Sequence, residues 1–584
     1  MSTFRSKSWV ALYTLGLAGL GVFCALQLGA MVGDGRRPSL NPLLGLMEVL
    51  FGRVKPTLLT WILLILVAVG CLVFYVWVGE EPSDKDPAQK NKLLKAHTLE
   101  ATATKANLSQ KAAVSGLSCG NLYGTKKPVI QNWESVGIYW LGPRMGKTSG
   151  FIVRHALEAP GSYVFTSNKT DGVAEIIAGR QNMGTVHIFD PEGLLKVSRE
   201  GRPLMCWDFI GSITSRSRAE AYAKILNDSS KLSGNGENVS SDAFFEPLAE
   251  KVVIAALMAA HARGLSVIEM LEMLSQTDLL GLQSILDEDY PLLGNDVRKV
   301  ADQPEKTKEN ILAGVSRIFS ALSNDEVISW IDPMGSSKEA VFDPYQFVNS
   351  HDTLVILVKD GGSSAATLAS LLAESVINAG LDIANPRLDP PLVCDFDEVN
   401  NTVHIRSLPN RYTYLGSRGV IVNCYLQTYS SGHRLWGENG FKTIRSAATV
   451  KVVGGGIEEK ELDELSKMLG TYEKKTTSVS TSHQGSYGPS TRSSSSTSRR
   501  KEEILSSAEL GRLPQFRAVV RVSGVGSGIV EATPWFRDED LKKRIDPGEV
   551  EKVANSLGYS LKHFEHDKKQ AGQSAEKKKV KTLV

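Results

Sequence analysis

Six cysteines, none in a Cys-x-x-Cys pair and none beside a histidine set of metal-ligand spacing, leave this chain without a redox motif, a zinc motif or a disulfide framework. Cys24, Cys71, Cys119, Cys206, Cys394 and Cys424 read instead as reduced, buried thiols. An excess of one charge is also missing: 66 basic against 64 acidic residues give a formal charge of +2. Net charge therefore argues neither for nor against nucleic acid, and any basic surface must be local. Aromatic and basic residues do not interleave as a single-strand stacking platform requires. The local group Arg298, Lys299, Lys306 and Lys308 reads as a solvated helical face before it reads as a DNA contact.

What is present is a phosphate-binding signature. Ile138-Tyr139-Trp140-Leu141 is an apolar strand that runs into Gly142-Pro143-Arg144-Met145-Gly146-Lys147-Thr148-Ser149. A tight turn before a helix aims backbone N–H groups at phosphate oxygens, and the helix dipole favours negative charge there. Lys147 is placed to reach the β and γ phosphates of a nucleoside triphosphate, and Thr148 to offer its hydroxyl to Mg²⁺. The turn is one residue short of the common pattern, with Leu141 where the first glycine is expected. Pro143 pre-sets one dihedral of the shorter loop but removes a donor. An ordinary strand-turn-helix corner looks similar.

A partner element lies at Pro391-Leu392-Val393-Cys394-Asp395-Phe396-Asp397-Glu398, a buried strand ending in acids. Here Asp397 would hold Mg²⁺ through water and Glu398 would polarise the attacking water. Asp395, on the same side by alternation, is the weaker alternative to Asp397. Taken alone such a strand end is commonplace; with Gly146-Lys147-Thr148 it becomes specific.

Two long apolar stretches, Trp9–Val32 and Pro56–Gly79, each exceed the roughly 20 residues needed to cross a bilayer. The first is long for a signal peptide and lacks a clean cleavage site. Basic residues flank both spans, so their count leaves the orientation open. ATP chemistry downstream decides it: both termini face the cytoplasm, and Leu40–Val54 becomes an amphipathic segment on the outer interface.

Along the chain, 1–85 reads as a two-helix anchor, with helices over about 9–32 and 56–79, and Glu80–Lys111 as a polar linker or solvated helix. Residues 86–215 read as the first part of a nucleotide-binding domain, with strand and helix alternating as in a parallel sheet. Over 216–345 strand signals stop and helical spacing takes over, as at Ile311, Val315, Ile318 and Leu322, so an all-α domain is inserted. The second part, 346–545, resumes with strands at Thr353–Val358, Leu392–Phe396, Val420–Gln427 and Ala448–Val453. It contains a Ser/Thr-rich tract, 476–500, read as a mobile loop, and a hairpin through Ala518–Val522 and Gly528–Val530. Residues 546–584 read as a basic, disordered tail, which from His566 could touch acidic lipid or nucleic acid.

Together these pieces resemble the coupling-protein ATPases of type IV secretion and conjugative DNA transfer. The likeness covers Gly137 to Arg544 and the anchor. It is carried by Leu392–Glu398, by Leu415-Gly416-Ser417-Arg418-Gly419-Val420 leading to Leu426-Gln427-Thr428, by the helix from Glu464-Leu465-Ser466 to Gly470, and by Pro534-Trp535-Phe536. It implies an α/β chain: a RecA-like P-loop NTPase domain with an inserted all-α domain and an N-terminal two-helix transmembrane anchor in a bacterial inner membrane. It further implies a homo-hexamer that hydrolyses ATP with Mg²⁺ between neighbours and passes relaxase-bound single-stranded DNA to secretion-channel proteins. By position, Lys147 and Thr148 would bind triphosphate and metal, and Asp397 and Glu398 would serve metal and water. Gln427 would sense the γ-phosphate, and Arg418 would be the finger acting on the adjacent subunit's nucleotide.

Two other classes compete. One is a membrane receptor that docks secreted protein or relaxase substrates and uses nucleotide mainly to assemble; the other is a double-stranded DNA translocase. The translocases usually carry a longer membrane region and a winged-helix end, and neither is in this sequence.

Overall fold

Strands covered on both faces read as near-continuous apolar runs. Thr353–Leu357, Leu392–Phe396 and Val420–Leu426 are such runs, and every residue in them is buried. In the computed structural model they lie inside an eleven-stranded sheet. The structure describes residues 18–28, 38–51, 53–54, 56–79, 87–100, 102, 109, 111–200, 203–233, 239–275, 279–333, 341–359, 363–457, 459–483 and 491–559.

The strands are β1 Gly116–Leu122, β2 Pro128–Asn132, β3 Gly137–Trp140, β4 Tyr163–Ser167, β5 Val186–Phe189, β6 Cys206–Trp207, β7 Val341–Phe342 and β8 Thr353–Leu357. They continue as β9 Leu392–Phe396, β10 Val420–Leu426, β11 Val450–Gly454, β12 Thr471–His483, β13 Thr491–Glu503, β14 Arg517–Val522 and β15 Gly526–Glu531. The large sheet runs β2-β1-β15-β14-β11-β3-β10-β9-β4-β8-β5. From β11 to β5 all neighbours are parallel, and β14, β15, β1 and β2 extend one edge antiparallel.

Each face of the sheet has its own core. On one face the helices Val153–Glu158, Val173–Arg180 and Pro547–Leu557 pack against Tyr139, Phe165, Val393 and Tyr425. On the other the helices Ser364–Ile383 and Tyr429–Ala447 meet Trp140, Cys394 and Cys424. Ser364–Ile383 is long and apolar enough to cross a membrane, but 83% of it is buried inside the protein. It is a core helix, wedged between the sheet and a helical segment.

That helical segment runs from Arg216 to Ile328, between β6 and β7, and has no strand among its described residues. The two short strands pair with each other in parallel at its base, with Trp207, Phe209 and Tyr222 packed together beside them. It belongs to the same compact unit as the sheet, Asn91–Gly470 with the chain from Ile504 onward. The chain up to Lys90 and Thr471–Glu503 form a second unit.

Several features differ from the sequence reading. The Ser/Thr-rich tract is not a loop: β12 and β13 pair antiparallel over thirteen positions, Thr471↔Glu503 to His483↔Thr491, and 484–490 lie outside the described residues. Its low complexity hides the β-branched threonines, and a two-stranded ribbon held in register by its backbone ladder needs no apolar alternation to announce it. Strands β1 and β2 went unread because Gly116, Gly120 and Asn121 are poor strand formers. The glycines are there for backbone reasons: a Cβ on Gly116 would lie 2.1 Å from the Gln131 carbonyl, and Gly120 has φ +99° beside a bulge. Finally, among the cysteines Cys24 is exposed and Cys71 half-buried, whereas the other four are buried; all are free.

In the second unit, the described part of the first apolar stretch is the helix Ala18–Leu28. Asn41 caps a helix over Pro42–Leu50, whose Val49 packs with Leu26 and Val54. The second apolar stretch is the helix Leu58–Gly79, 22 residues without a charge. The tail reading is corrected at its start, where Asp546 caps a helix over Pro547–Leu557 that buries Val550, Ala554 and Leu557 in the core of the sheet-bearing unit; the tail beyond 559 lies outside the described residues.

Candidate nucleotide site

Three parallel strand ends frame the site. Strand β10 lies between β3 and β9, with Leu426 opposite Trp140 and Cys424 opposite Phe396. The residues after each strand therefore emerge together: Leu141 onward, Asp397-Glu398 and Gln427.

From β3 the chain turns under tight restraint. The Leu141 N–H donates to the Leu426 carbonyl at 3.2 Å, and the Gly142 N–H to that of Gly455 at 3.1 Å. A side chain at Gly142 has no room, because its Cβ would lie 2.3 Å from the Gly456 carbonyl oxygen. Arg144 and Gly146 both take left-handed dihedrals, φ +62° and +88°, so the shortened turn closes by two reversals in place of an extra residue. Pro143 and Arg144 are exposed, and Met145, Gly146, Thr148 and Ser149 are half-buried at the rim. Thr148–Ile152 then forms one π turn before the α-helix Val153–Glu158, a local widening common at functional sites.

Lys147 points across to β9. Its Nζ lies 3.2 Å from Asp397 Oδ1, with both side chains under a tenth exposed. Asp397 Oδ1 also accepts the Glu398 N–H at 3.0 Å. Burial pushes the Asp397 carboxyl above its ordinary value; Lys147 opposes this and the Glu398 charge adds to it. Glu398 adopts φ +47°, ψ +47°, a left-handed conformation strained for glutamate, at the head of the helix Val399–Thr402. Its Oε1 takes the Lys169 ammonium at 2.9 Å and the Gln427 side-chain amide, and its Oε2 the Asn401 amide at 3.4 Å. Burial raises the Glu398 carboxyl, but Lys169 and Lys147 outweigh it and hold the group below the usual glutamate value.

Asp395, the weaker alternative, is fully buried and committed elsewhere. It accepts the Tyr163 hydroxyl at 2.9 Å and the Asn423 amide at 2.8 Å, and pairs with His155 at 3.3 Å. The His155 ring also meets the Tyr425 hydroxyl at 3.0 Å. Burial disfavours its charged form, yet Asp395 and Glu158 carry its pKa above the ordinary value. This network anchors β4, β9 and β10 to the helix that carries His155.

Lys169 and the Asp395 network were not read from the sequence. Lys169 follows β4, which pairs with β9 so that Thr166 lies opposite Phe396. Strand order brings it to Glu398, and strand order is not written in local periodicity.

Arg418 lies apart. It precedes β10, roughly 23 Å of strand from Gln427, and its guanidinium donates to the Leu381 and Ala384 carbonyls at 3.3 and 2.7 Å. Within one chain it does not meet the other site residues.

The donor set fits a magnesium-nucleotide. Among the described residues the buried Lys147 ammonium is held by Asp397 alone, and an enclosed ammonium with unused N–H groups suits phosphate oxygens. Asp397 and Thr148 supply the hard oxygen ligands that Mg²⁺ prefers.

Comparison with known proteins adds two findings. Residues 391–515, which include Asp397, Glu398 and Gln427, match the family described as the TraM recognition site of TraD and TraG. The bacterial conjugative coupling protein TrwBdeltaN70 shares the fold of this chain, with a TM-score of 0.53 at 15% identity over 75% of this chain and 91% of that one. VirB4 of Thermoanaerobacter pseudethanolicus aligns at 0.40 and 10% identity, over 72% of this chain and 96% of that one. No curated protein matches the sequence of this chain.

Proposed function

We propose that this chain is a membrane-anchored ATPase that couples relaxase-bound single-stranded DNA to a type IV secretion channel. The observation that carries the reading is the 3.2 Å pairing of Lys147 with Asp397, elements far apart in sequence that close on one site. ATP is the proposed substrate and Mg²⁺ the metal, with Lys147 and the loop Gly142–Ser149 on the phosphates and Thr148 and Asp397 as metal ligands. The metal would neutralise charge developing on the phosphates. Glu398 is the proposed base for the attacking water. In the resting arrangement its carboxylate is occupied by Lys169 and Gln427, so it must be released from one of them before it can orient water. Gln427 lies between both strand ends and is suited to report nucleotide state. Arg418, at the opposite strand end, is left a role only across a subunit boundary in the proposed hexamer.

The proposed anchor rests on the two N-terminal apolar helices. At 22 residues Leu58–Gly79 spans about 33 Å, enough for a hydrocarbon core of about 30 Å. Leu58, Trp61, Ile62, Ile65, Leu66 and Val69 are exposed along it, as lipid-facing residues would be. The nucleotide site then faces the cytoplasm of a bacterial cell.

The test is Lys147→Ala in the full-length chain. Both ATP hydrolysis and DNA transfer between cells should fall to background. Transfer that persists without hydrolysis would support a docking receptor instead.

A further inference from the structure

A second cavity, of about 570 Å³, opens on the sheet face away from the phosphate-loop helix. It lies between the helices Tyr429–Ala447 and Glu459–Leu469 and the strands β11 and β14. Trp140, Val453, Leu465, Met468 and Val519 give it an apolar lining. Lys442, Arg445, Lys451 and Arg521 bring four cations to it, against the acids Glu438, Glu461 and Glu464. Arg445 is already matched by Glu464 at 2.8 Å and stacked over the Tyr429 ring at 4.7 Å.

The strand wall is different. Lys451 rises from β11 half-buried and donates to the Ala448 carbonyl at 2.8 Å. Arg521, opposite it in register on β14, reaches among the described residues only the Met468 carbonyl, at 3.4 Å. Burial, with Arg521 and Arg445 close by, lowers Lys451 to about 8. Like charges held together on a desolvated wall store repulsion that a bound anion relieves. A further donor stands ready: Trp140 is 7% exposed and its indole N–H, enclosed in the protein, has no hydrogen-bond partner among the described residues. A buried N–H left unpaired costs free energy that a ligand oxygen recovers.

We propose that this cavity is a binding site for a phosphate-bearing ligand, the phosphoryl group seated between Lys451 and Arg521 with the Trp140 indole donating to it and an apolar body lying against Val453 and Leu465. Several cations around one point suit a dianion, because a single carboxylate is satisfied by one arginine, as Glu464 already shows. The phosphate has two possible sources, a free small phosphate or the backbone of a DNA strand. The site is also tied to the nucleotide site. Trp140 lies two residues before Gly142, and Ile457, on the cavity wall, follows the Gly455 carbonyl that accepts the Gly142 N–H. Occupancy should therefore shift the affinity for nucleotide.

The test uses full-length, detergent-solubilised chain carrying ¹⁵N-tryptophan, titrated with inorganic phosphate in one arm and a twelve-nucleotide oligothymidylate in the other. The Trp140 indole signal, assigned by Trp140→Phe, should move saturably, and equally in Lys147→Ala, which disables the other phosphate site. Lys451→Met should weaken the binding about tenfold. Lys442→Glu, on an exposed helical position that does not challenge folding, should weaken it in the same direction. Movement with phosphate alone identifies a free phosphate as the ligand, and movement only with the oligonucleotide identifies a strand. A Trp140 signal still in both arms, or binding indifferent to both lysine substitutions, overturns the proposal.

Discussion

At the scale of single residues, the site turns on how Glu398 is held. Lys169 is half-exposed, yet it takes the carboxylate of a group only 7% exposed, and with Lys147 it outweighs the effect of burial. Replacing Lys169 with Met removes that compensation, so the Glu398 pKa should rise. The acid limb of the pH–rate profile of ATP hydrolysis should then move to higher pH, with nucleotide affinity changed little; an unmoved limb would deny Lys169 this positioning role. His155 makes a second case. Its pKa in the folded chain lies above the ordinary 6.5 because Asp395 and Glu158 outweigh burial. A group raised in the folded state contributes stability that is full below the unfolded value and is lost as pH rises through the folded one. Thermal unfolding should therefore show stability falling as pH climbs from about 6.5 through that raised value, and His155→Gln should remove this component of the slope.

Element by element, the sequence was most legible where one signal sufficed. Apolar runs marked β3, β4, β5, β8, β9, β10 and β11, and helical spacing marked the segment from Arg216 onward. Glycine, lysine and threonine in order pointed to the phosphate loop, and the paired acids to the strand end that meets it. What stayed hidden depended on non-local pairing. Lys169 needs β4 beside β9, Asp395 needs His155 and Tyr425 from other elements, and β1 and β2 are held at a sheet edge by partners rather than by their own propensity. The Ser/Thr-rich ribbon belongs here too. Its two ends leave and re-enter the sheet-bearing unit side by side, with the Ile504 N–H donating to the Gly470 carbonyl at 3.0 Å. Replacing Thr471–Glu503 by a short Gly-Ser linker should therefore close that junction without strain. The shortened chain should keep nucleotide affinity within about twofold, a change of about 0.4 kcal/mol. Loss of nucleotide binding, measured by fluorescent-nucleotide titration, would show that the ribbon supports the sheet.

For the whole molecule, the question is what would couple the proposed hydrolysis to cargo, and with a net charge of only +2 the answer must lie in local surfaces. Three of the four cations in the basic group read from the helical segment are matched by neighbouring acids: Arg298 pairs with Asp287 at 3.3 Å, Lys299 with Asp296 at 3.3 Å and Lys308 with Glu305 at 2.7 Å. Cations whose charge is spent on neighbouring carboxylates attract phosphates weakly, and exposed pairs of this kind add little to stability, about 0 to 1 kcal/mol each. Single-stranded DNA should stimulate ATP hydrolysis by the full-length, membrane-reconstituted chain, as the proposed coupling role requires. The double substitution Arg298→Ala and Lys299→Ala should leave that stimulation, and its salt dependence, unchanged within about twofold, because so few phosphate contacts are lost. If instead the double variant abolishes stimulation while basal hydrolysis survives, the helical segment is the strand's contact surface and its ion pairs open on binding. If DNA stimulates neither protein although both hydrolyse ATP, nucleotide turnover is not coupled to a strand, and the cargo must be engaged as protein.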